Sequence, residues 1–409
     1  MAGQKLFESY LATASFLVQQ YEGSTPLNNF IKQYFSQHKK FGSRDRKHTT
    51  HLCYCFYRAT PYHQKDILKN ADAADIQQQI VTALFLCSQN QNELLEQFNP
   101  EWNKKTEGSL EQKISLLNYS LKITDIFPWT NELSESIDTT AFAASHLIQP
   151  DLFLRIRPHR KQGVLKKLQA TKISFTNCSE DCLSLANTTK IEDVLAVNKE
   201  VIIQDYSSQR IKEFLEIVKN ETVNQPSIKV WDCCAASGGK SILAVDVLKN
   251  IDLTVSDVRA SIIFNLKKRF KEAGIKNYHS FITDIATLNL KPSTLNLQSS
   301  TFNLIICDAP CTGSGTWSRT PEQRYFFSKE KIDYYSELQK KIVTNTIPHL
   351  AQNGFYLYIT CSVFKKENEE VVEFIQKKFC LQPVKQEVLI GYDKKADTMF
   401  AALFVKAGL

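Results

Sequence analysis

The run Asn303–Trp317, Asn-Leu-Ile-Ile-Cys-Asp-Ala-Pro-Cys-Thr-Gly-Ser-Gly-Thr-Trp, admits few folds. Four apolar residues, Leu304–Cys307, lead straight into Asp308. A strand buried on both faces of a parallel sheet reads this way, because neither face meets water. Pro310 then stops the ladder, since it has no N–H to donate. Gly313 and Gly315 let the backbone turn or approach a ligand closely. Asp308 and Cys311 are therefore expected at the carboxyl end of a central strand, the edge where open α/β sheets bind ligands. A second run, Phe355–Thr360, ends the same way at Cys361-Ser362. Two cysteines are expected to face one crevice from two strand ends.

The flanking sequence supports a doubly wound α/β sheet from Ile228 onward, where strand and helix patterns alternate. Strands are expected at Ile228–Cys233, Leu253–Ser256 and Tyr278–Thr283, with helices at Ser241–Lys249 and Ala260–Ala273. After the organising strand come a long helix, Lys331–Leu350, the Cys361 strand, the helix Asn368–Lys378 and two last strands. Residues 1–145 carry apolar residues at helical spacing and read as all-helical. There Ser24-Thr25-Pro26 reads as a cap with Pro at the first helical position, and Gly42 as a helix end. Residues 146–225 read as a small α+β module ending in a linker, with strands at Leu152–Ile156, Lys172–Phe175 and Glu200–Gln204. The expected domains are 1–145, 146–225 and 226–409, since 409 residues exceed one typical core.

Composition narrows the setting. No run of 18 apolar residues occurs, and the N-terminus lacks a signal-peptide core, so a cytoplasmic protein without a membrane partner is expected. The eleven cysteines form no Cys-x-x-Cys pair and read as reduced, with no metal expected. The net charge of +7 is uneven: residues 1–145 hold 14 Lys/Arg against 15 Asp/Glu. The densest basic piece, Arg155–Lys172, has seven Lys/Arg and no acid. Arg155, Arg157, Arg160, Lys161, Lys166 and Lys167 there suit a polyanion such as RNA. A merely solvated face is the bland reading of the same charges.

The turn after the first strand, Ala235-Ala236-Ser237-Gly238-Gly239-Lys240, is small enough for a backbone to approach a cofactor. It is neither Gly-x-Gly-x-x-Gly nor a Walker loop. Asp257 falls 19 residues after Gly238, at a strand end, where a carboxylate binds ribose hydroxyls. Asp284 and Asp308 close two further strands. Without the dinucleotide fingerprint, S-adenosylmethionine suits this edge better than a nicotinamide cofactor. A cysteine nucleophile needs nearby positive charge to form its thiolate, and Arg319 and Arg324 follow Cys311 closely.

Several of these stretches together resemble one family. Asp308-Ala-Pro-Cys311-Thr-Gly-Ser-Gly-Thr, Tyr358-Ile-Thr-Cys361-Ser362-Val with Glu367-Asn368-Glu369-Glu370, Cys234-Ala-Ala-Ser-Gly-Gly-Lys240 and Ile203-Gln-Asp-Tyr-Ser-Ser-Gln209 are similar to motifs of the RsmB/Nop/Sun family of RNA cytosine-5 methyltransferases. Phe41-Gly-Ser-Arg-Asp-Arg-Lys47 resembles, more weakly, the NusB-like domain of its ribosomal RNA members. The resemblance implies a Rossmann-like S-adenosylmethionine domain acting on RNA, and a monomer. It implies Cys361 as the thiolate that adds to C6 of cytosine, and Cys311 as the residue that helps the adduct collapse. Asp308 would hold the N3/N4 edge of the base. Lys240 would touch the base or the cofactor carboxylate. Cys234, Asp257 and Asp284 would contact the cofactor. The NusB-like start points to small-subunit ribosomal RNA. The chain departs from the family at Ser237, where Pro is usual, at Thr316-Trp-Ser-Arg319 and at Ala396-Asp-Thr-Met-Phe400.

Two other readings compete. A DNA cytosine-5 methyltransferase would use Cys311 as nucleophile, but it leaves Cys361 unexplained and lacks a large target-recognition insertion. A non-catalytic ribosome-assembly protein would not need Asp308, Cys311 and Cys361 intact.

Overall fold

The computed structural model describes residues 2–69, 71–117, 120–287 and 301–407. They form two compact units. The first comprises residues 1–131, 138–149 and 317–328, and the second comprises 132–137, 150–316 and 329–409.

The first unit is helical. Its main helices are Ala2–Gln20, Leu27–Gln37, Ser43–Ala59 and Ala73–Cys87. Their apolar stripes bury Leu17, Ile31, Leu52, Phe56, Ile80 and Leu84 in one core. The caps differ from the sequence reading. Pro26 itself occupies the cap of the second helix, with no side-chain cap bond. Gly42 starts the third helix rather than ending the second, and its N–H donates to Asp45 Oδ2 at 2.7 Å.

Residues 317–328 leave the loop that follows Cys311 and pack inside this helical unit. Trp317 sits 5.9 Å from Phe127 and 5.7 Å from Trp129, ring to ring. The Arg324 guanidinium is fully buried there, and it donates to the carbonyls of Tyr57, Thr60 and Ile126. Arg324 is thus committed to holding backbone carbonyls, which gives its direction despite its closeness to Cys311 in sequence.

The second unit contains two sheets. In the small one, β1 (Leu152–Ile156) pairs antiparallel with β3 (Cys182–Leu185) and β4 (Val201–Ile203), while β2 (Thr176–Asn177) flanks β3. The strand expected at Lys172–Phe175 does not form. Lys172 takes a left-handed φ of 54°, which breaks an extended run.

The large sheet has seven strands among the described residues. They are β5 (Ile228–Asp232), β6 (Ile251–Asp257), β7 (Tyr278–Ile282), β8 (Phe302–Asp308), β9 (Leu350–Thr360), β10 (Gln382–Leu389) and β11 (Met399–Val405). Their spatial order is β10-β11-β9-β8-β5-β6-β7. The five strands from β9 to β7 run parallel, and the two at the other edge are antiparallel. This is the expected doubly wound, Rossmann-like architecture. Leu304, Ile305, Ile306 and Cys307 are each 0% exposed, so β8 is covered on both faces as its apolar run requires. The chain winds one way from β5 through β6 to β7, then crosses to β8 and β9 on the other side. The switch point lies between β5 and β8, where a doubly wound sheet opens its ligand crevice. Helix Glu330–Thr346 is shorter than expected because Pro348 interrupts it. Strand β9 therefore begins at Leu350 rather than Phe355.

Candidate active site

The crevice is built from the carboxyl ends of β5, β6, β8 and β9. At β5 the chain leaves the sheet through Cys233–Gly238 and enters helix Gly239–Leu248. The Ala235 N–H donates to the Ser256 carbonyl at 2.9 Å, and the Gly238 N–H donates back to Ala235 at 2.8 Å. Gly238 takes φ +81°, and a Cβ there would stand 2.5 Å from Phe270. Only glycine satisfies both demands. Ser237, in place of the family's proline, accepts from Arg269 Nη1 at 3.0 Å through its hydroxyl oxygen.

Asp257 closes β6 and faces this turn. One carboxylate oxygen accepts the Ala236 N–H at 3.1 Å, and the other accepts the Arg259 N–H at 3.0 Å. Burial works against its charge, but the Arg259 guanidinium and these N–H groups hold its pKa below the usual value. Asp284 lies two residues beyond β7, is exposed, and accepts the Ala286 N–H at 3.0 Å. The Cys234 sulfur lies with those of Cys233 and Cys307, all within 4.8 Å of one another.

Lys240 stands in the first turn of the helix after the loop and is 7% exposed. Its Nζ donates to Asp308 Oδ2 at 3.1 Å and to Ser208 Oγ at 2.8 Å. Burial disfavours the ammonium, yet the Asp308 carboxylate and then the Cys361 thiolate raise its pKa above normal. Lys240, and not Arg324, is therefore the cation whose charge interacts with Cys361.

The two cysteines converge as their strand ends require. Asp308 pairs with Ile359 across β8 and β9, which brings Cys361 beside the loop carrying Cys311. The Cys361 N–H donates to Cys311 Sγ at 3.3 Å. The side-chain hydrogen bond with Cys361, reinforced by burial, pushes the Cys311 thiol well up. Gly315 N–H donates to the Cys361 carbonyl at 2.9 Å, and a Cβ on Gly315 would fall 1.9 Å from the Thr398 carbonyl oxygen. Glycine at that position is what lets the three segments meet.

Two buried carboxylates escaped the sequence reading. Glu367 is fully buried and accepts from the Thr312 N–H at 2.9 Å, from Ser362 Oγ at 2.6 Å and from Gln339 Nε2 at 3.0 Å. It ties the Cys311 loop to the Cys361 loop, and its position in Glu367-Asn368-Glu369-Glu370 is the only signal that could have found it. Asp232 ends β5 fully buried and accepts from Ser241 Oγ. Burial, resisted by that hydrogen bond, raises its pKa to about 7. An aspartate closing a strand was a readable signal here too.

The six basic residues of 155–167 are not brought together as one surface. Arg155 is 2% exposed, and its Nη1 holds Asp246 at 2.6 Å. Arg157 holds the same carboxylate at 2.7 Å and the Ala273 carbonyl at 2.6 Å. Both guanidinium groups are thus turned to one buried acid rather than to an open basic surface. Arg160, Lys161 and Lys166 are exposed, and exposed Lys167 pairs with Glu200 at 2.8 Å.

Residues 219–400 match the family model described as 16S rRNA methyltransferase RsmB/F. The probable ribosomal RNA small subunit methyltransferase B of Bacillus subtilis is 28% identical over 238 residues, which is 57% of this chain and 51% of that protein. The tRNA (cytosine(72)-C(5))-methyltransferase NSUN6 of Mus musculus is 30% identical over 176 residues, 41% of this chain and 36% of its own. The chain thus spans about half the length, or less, of the curated relatives it matches. Among solved structures, that of PH0851 superposes with a TM-score of 0.67 at 17% identity over 97% of this chain and 98% of its own. A methyltransferase homolog from Pyrococcus horikoshii gives 0.56 at 19% identity, over 72% and 98%. These two likenesses concern the fold.

Proposed function

We propose that this chain is a member of the RsmB/Nop/Sun family, on the match of residues 219–400 and its curated relatives, and that it transfers a methyl group from S-adenosylmethionine to C5 of a cytosine in RNA. The observation that carries the reading is the convergence of Cys311 and Cys361 beside the Lys240–Asp308 pair. A cytosine ring is a poor nucleophile at C5, and chemistry there needs a thiol to add and later leave.

The residues present fit the cofactor. The Ala235–Gly239 turn is built from small residues that allow close approach, Gly238 has no room for a Cβ, and burial-opposed hydrogen bonds hold the Asp257 pKa down beside it. When bound, S-adenosylmethionine supplies an electrophilic methyl group. Asp257 would accept its ribose hydroxyls, and Cys234, Asp284, Ala236, Ser237 and Gly239 would help to hold it.

The Cys361 thiolate adds its electron pair to C6 of the base, forming a carbon–sulfur bond and turning C5 into an enamine carbon. Asp308 orients the N3/N4 edge, and the Lys240 ammonium balances the charge that develops. After C5 is methylated, a water molecule in the crevice takes the C5 proton, and the electrons of that C–H bond re-form the C5–C6 double bond and expel the Cys361 thiolate. Cys311, a thiol held protonated by its neighbour and by burial, assists that collapse. The base must leave its stack to enter the crevice. Arg160, Lys161, Lys166 and Lys167 hold the RNA backbone. Small-subunit ribosomal RNA is the proposed substrate, in line with the name of the Bacillus subtilis relative.

Labelled methyl transfer to small-subunit ribosomal RNA, transfer RNA and duplex DNA tests this reading, with bisulfite sequencing to place the product. Methylation of an RNA cytosine is the expected result. Transfer to duplex DNA alone, or to none, would overturn it.

A further inference from the structure

A continuous set of hydrogen bonds joins the small sheet to Lys240. Arg155, on β1, holds Asp246 through Nη1 at 2.6 Å and donates its Nε–H to Gln204 Oε1 at 2.9 Å. Gln204 Nε2 donates to Ser208 Oγ at 3.1 Å and to the Ser208 carbonyl at 3.3 Å. Lys240 Nζ donates to the same Ser208 Oγ at 2.8 Å, and to Asp308 at 3.1 Å. The backbone of Gln204 is fixed as well, since its N–H reaches the Phe153 carbonyl and its own carbonyl accepts from Gln209 Nε2.

Donor and acceptor rules orient the whole set. A guanidinium can only donate, so the Gln204 carbonyl oxygen must face Arg155 and its amide NH₂ must face Ser208. An ammonium can only donate, so Ser208 Oγ accepts from Lys240 as well. Both lone pairs of the Ser208 hydroxyl are then engaged, one by each donor. Its oxygen is presented to a buried ammonium whose charge burial disfavours. Of the three N–H bonds on Lys240, two are given to Ser208 and Asp308. One is left to offer to the crevice.

We propose that Ser208 and Gln204 are positioning residues. They act through Lys240, keeping it protonated and aiming it at Asp308 and the substrate base, and Arg155 sets the orientation of Gln204. This assignment deepens the methyltransferase reading and rests on it for its catalytic meaning. It also gives Arg155 a role that needs no contact with RNA. The Ser208 hydroxyl becomes part of what keeps Lys240 charged at alkaline pH.

The test reads Lys240 directly. Competitive acetylation with acetic anhydride, followed by mass spectrometry of the Lys240 peptide across pH, reports the titration of that amine without RNA or methyl donor. Removing a hydrogen-bond acceptor from a buried cation should lower the apparent pKa of Lys240 in Ser208→Ala by roughly one to two units. Ser208→Thr keeps the hydroxyl and should titrate like wild type. Gln204→Leu, one bond further out, should move the value the same way by less. The alkaline limb of kcat/KM should shift to lower pH in Ser208→Ala in step with the labelling. A Lys240 titration unchanged in both Ser208→Ala and Gln204→Leu overturns the proposal. A shifted titration in a protein that methylates no RNA would leave the proton assignment standing and refute the methyltransferase reading instead.

Discussion

The backbone N–H of Cys361 donates to the sulfur of Cys311 across 3.3 Å. A contact of this kind requires two separate strand ends, β8 and β9, to be held in register by groups other than the cysteines. Glu367 supplies much of that hold, because the Thr312 N–H and the Ser362 hydroxyl both donate to it. With Gln339 as a further donor, the carboxylate is buried yet satisfied. Glu367→Ala should strand these donors and destabilise the fold by about 1–3 kcal/mol. It should also loosen the cysteine pair, so methyl transfer should fall further than the change in unfolding free energy explains. Urea unfolding and single-turnover rates measured on one preparation would separate the two effects. Wild-type turnover in a folded Glu367→Ala protein would show that the clamp is dispensable.

The division of labour between the cysteines gives a qualitative outcome. Cys361→Ala should form no protein–RNA adduct and should lose turnover. Cys311→Ala should still attack and methylate, then stall as a covalent complex that survives denaturing electrophoresis and disappears on RNase treatment. If Cys311 were the nucleophile instead, the adduct would appear only when Cys361 is changed.

The basic residues of 155–167 should separate by role. Arg155→Ala leaves Asp246 buried without one of its partners and should cost about 3–5 kcal/mol of stability, the range for breaking a buried pair. Arg160, Lys161 and Lys166 face solvent. Neutralising those three should instead flatten the salt dependence of RNA binding by roughly 0.7 per lost contact on a log–log plot. An unchanged salt slope would mean that these charges are only solvated.

What the sequence made legible follows from which interactions are local. The apolar run of β8 and its terminal Asp308 are one-dimensional features, and both reappear in the sheet. The convergence of Cys311 with Cys361 was readable because each closes a strand and parallel neighbours present their ends together. The fate of Arg155 was not readable. A basic run looks the same whether its residues face water or a buried Asp246 lying 91 residues away. Arg324 misled for the same reason: closeness to Cys311 in sequence says nothing of the carbonyls it meets in the helical unit. The Gly42 cap failed because glycine can start or end a helix, and packing decides which, while Pro26 lies one position before the place its sequence suggested. Lys240 was found through a motif, but its partner Ser208 depends on how the small sheet docks within the second unit.

The cofactor assignment rests on Asp257. Its carboxylate is pre-ionised, and it is already bonded to the Ala236 and Arg259 backbone N–H groups. Asp257→Ala should lower S-adenosylmethionine affinity by about 1–3 kcal/mol, the range for loss of a charged hydrogen-bond partner. Calorimetry would show it, with RNA affinity as the control. Wild-type cofactor affinity in this variant would remove Asp257 from the site.

Asp232 should leave a mark on the pH dependence of stability. Its carboxyl is fully buried, and burial raises its pKa from 3.8 to about 7 in the folded protein. Between those values the folded state keeps a proton that the unfolded chain has released. Stability therefore declines as pH rises through this window, whereas an ordinary ion-paired aspartate would give the opposite slope. The contribution is fully present below about pH 4 and gone above about pH 7. Asp232→Asn cannot titrate and retains an oxygen to accept from Ser241, so it should lack this component. Urea unfolding at pH 4.5 and 7.5 should show wild type losing roughly 2–4 kcal/mol relative to the variant between the two conditions. Parallel pH profiles for the two proteins would mean that Asp232 ionises at its normal value despite its burial. In that case the Ser241 hydrogen bond and the Lys240 charge would have to offset the whole cost of burial.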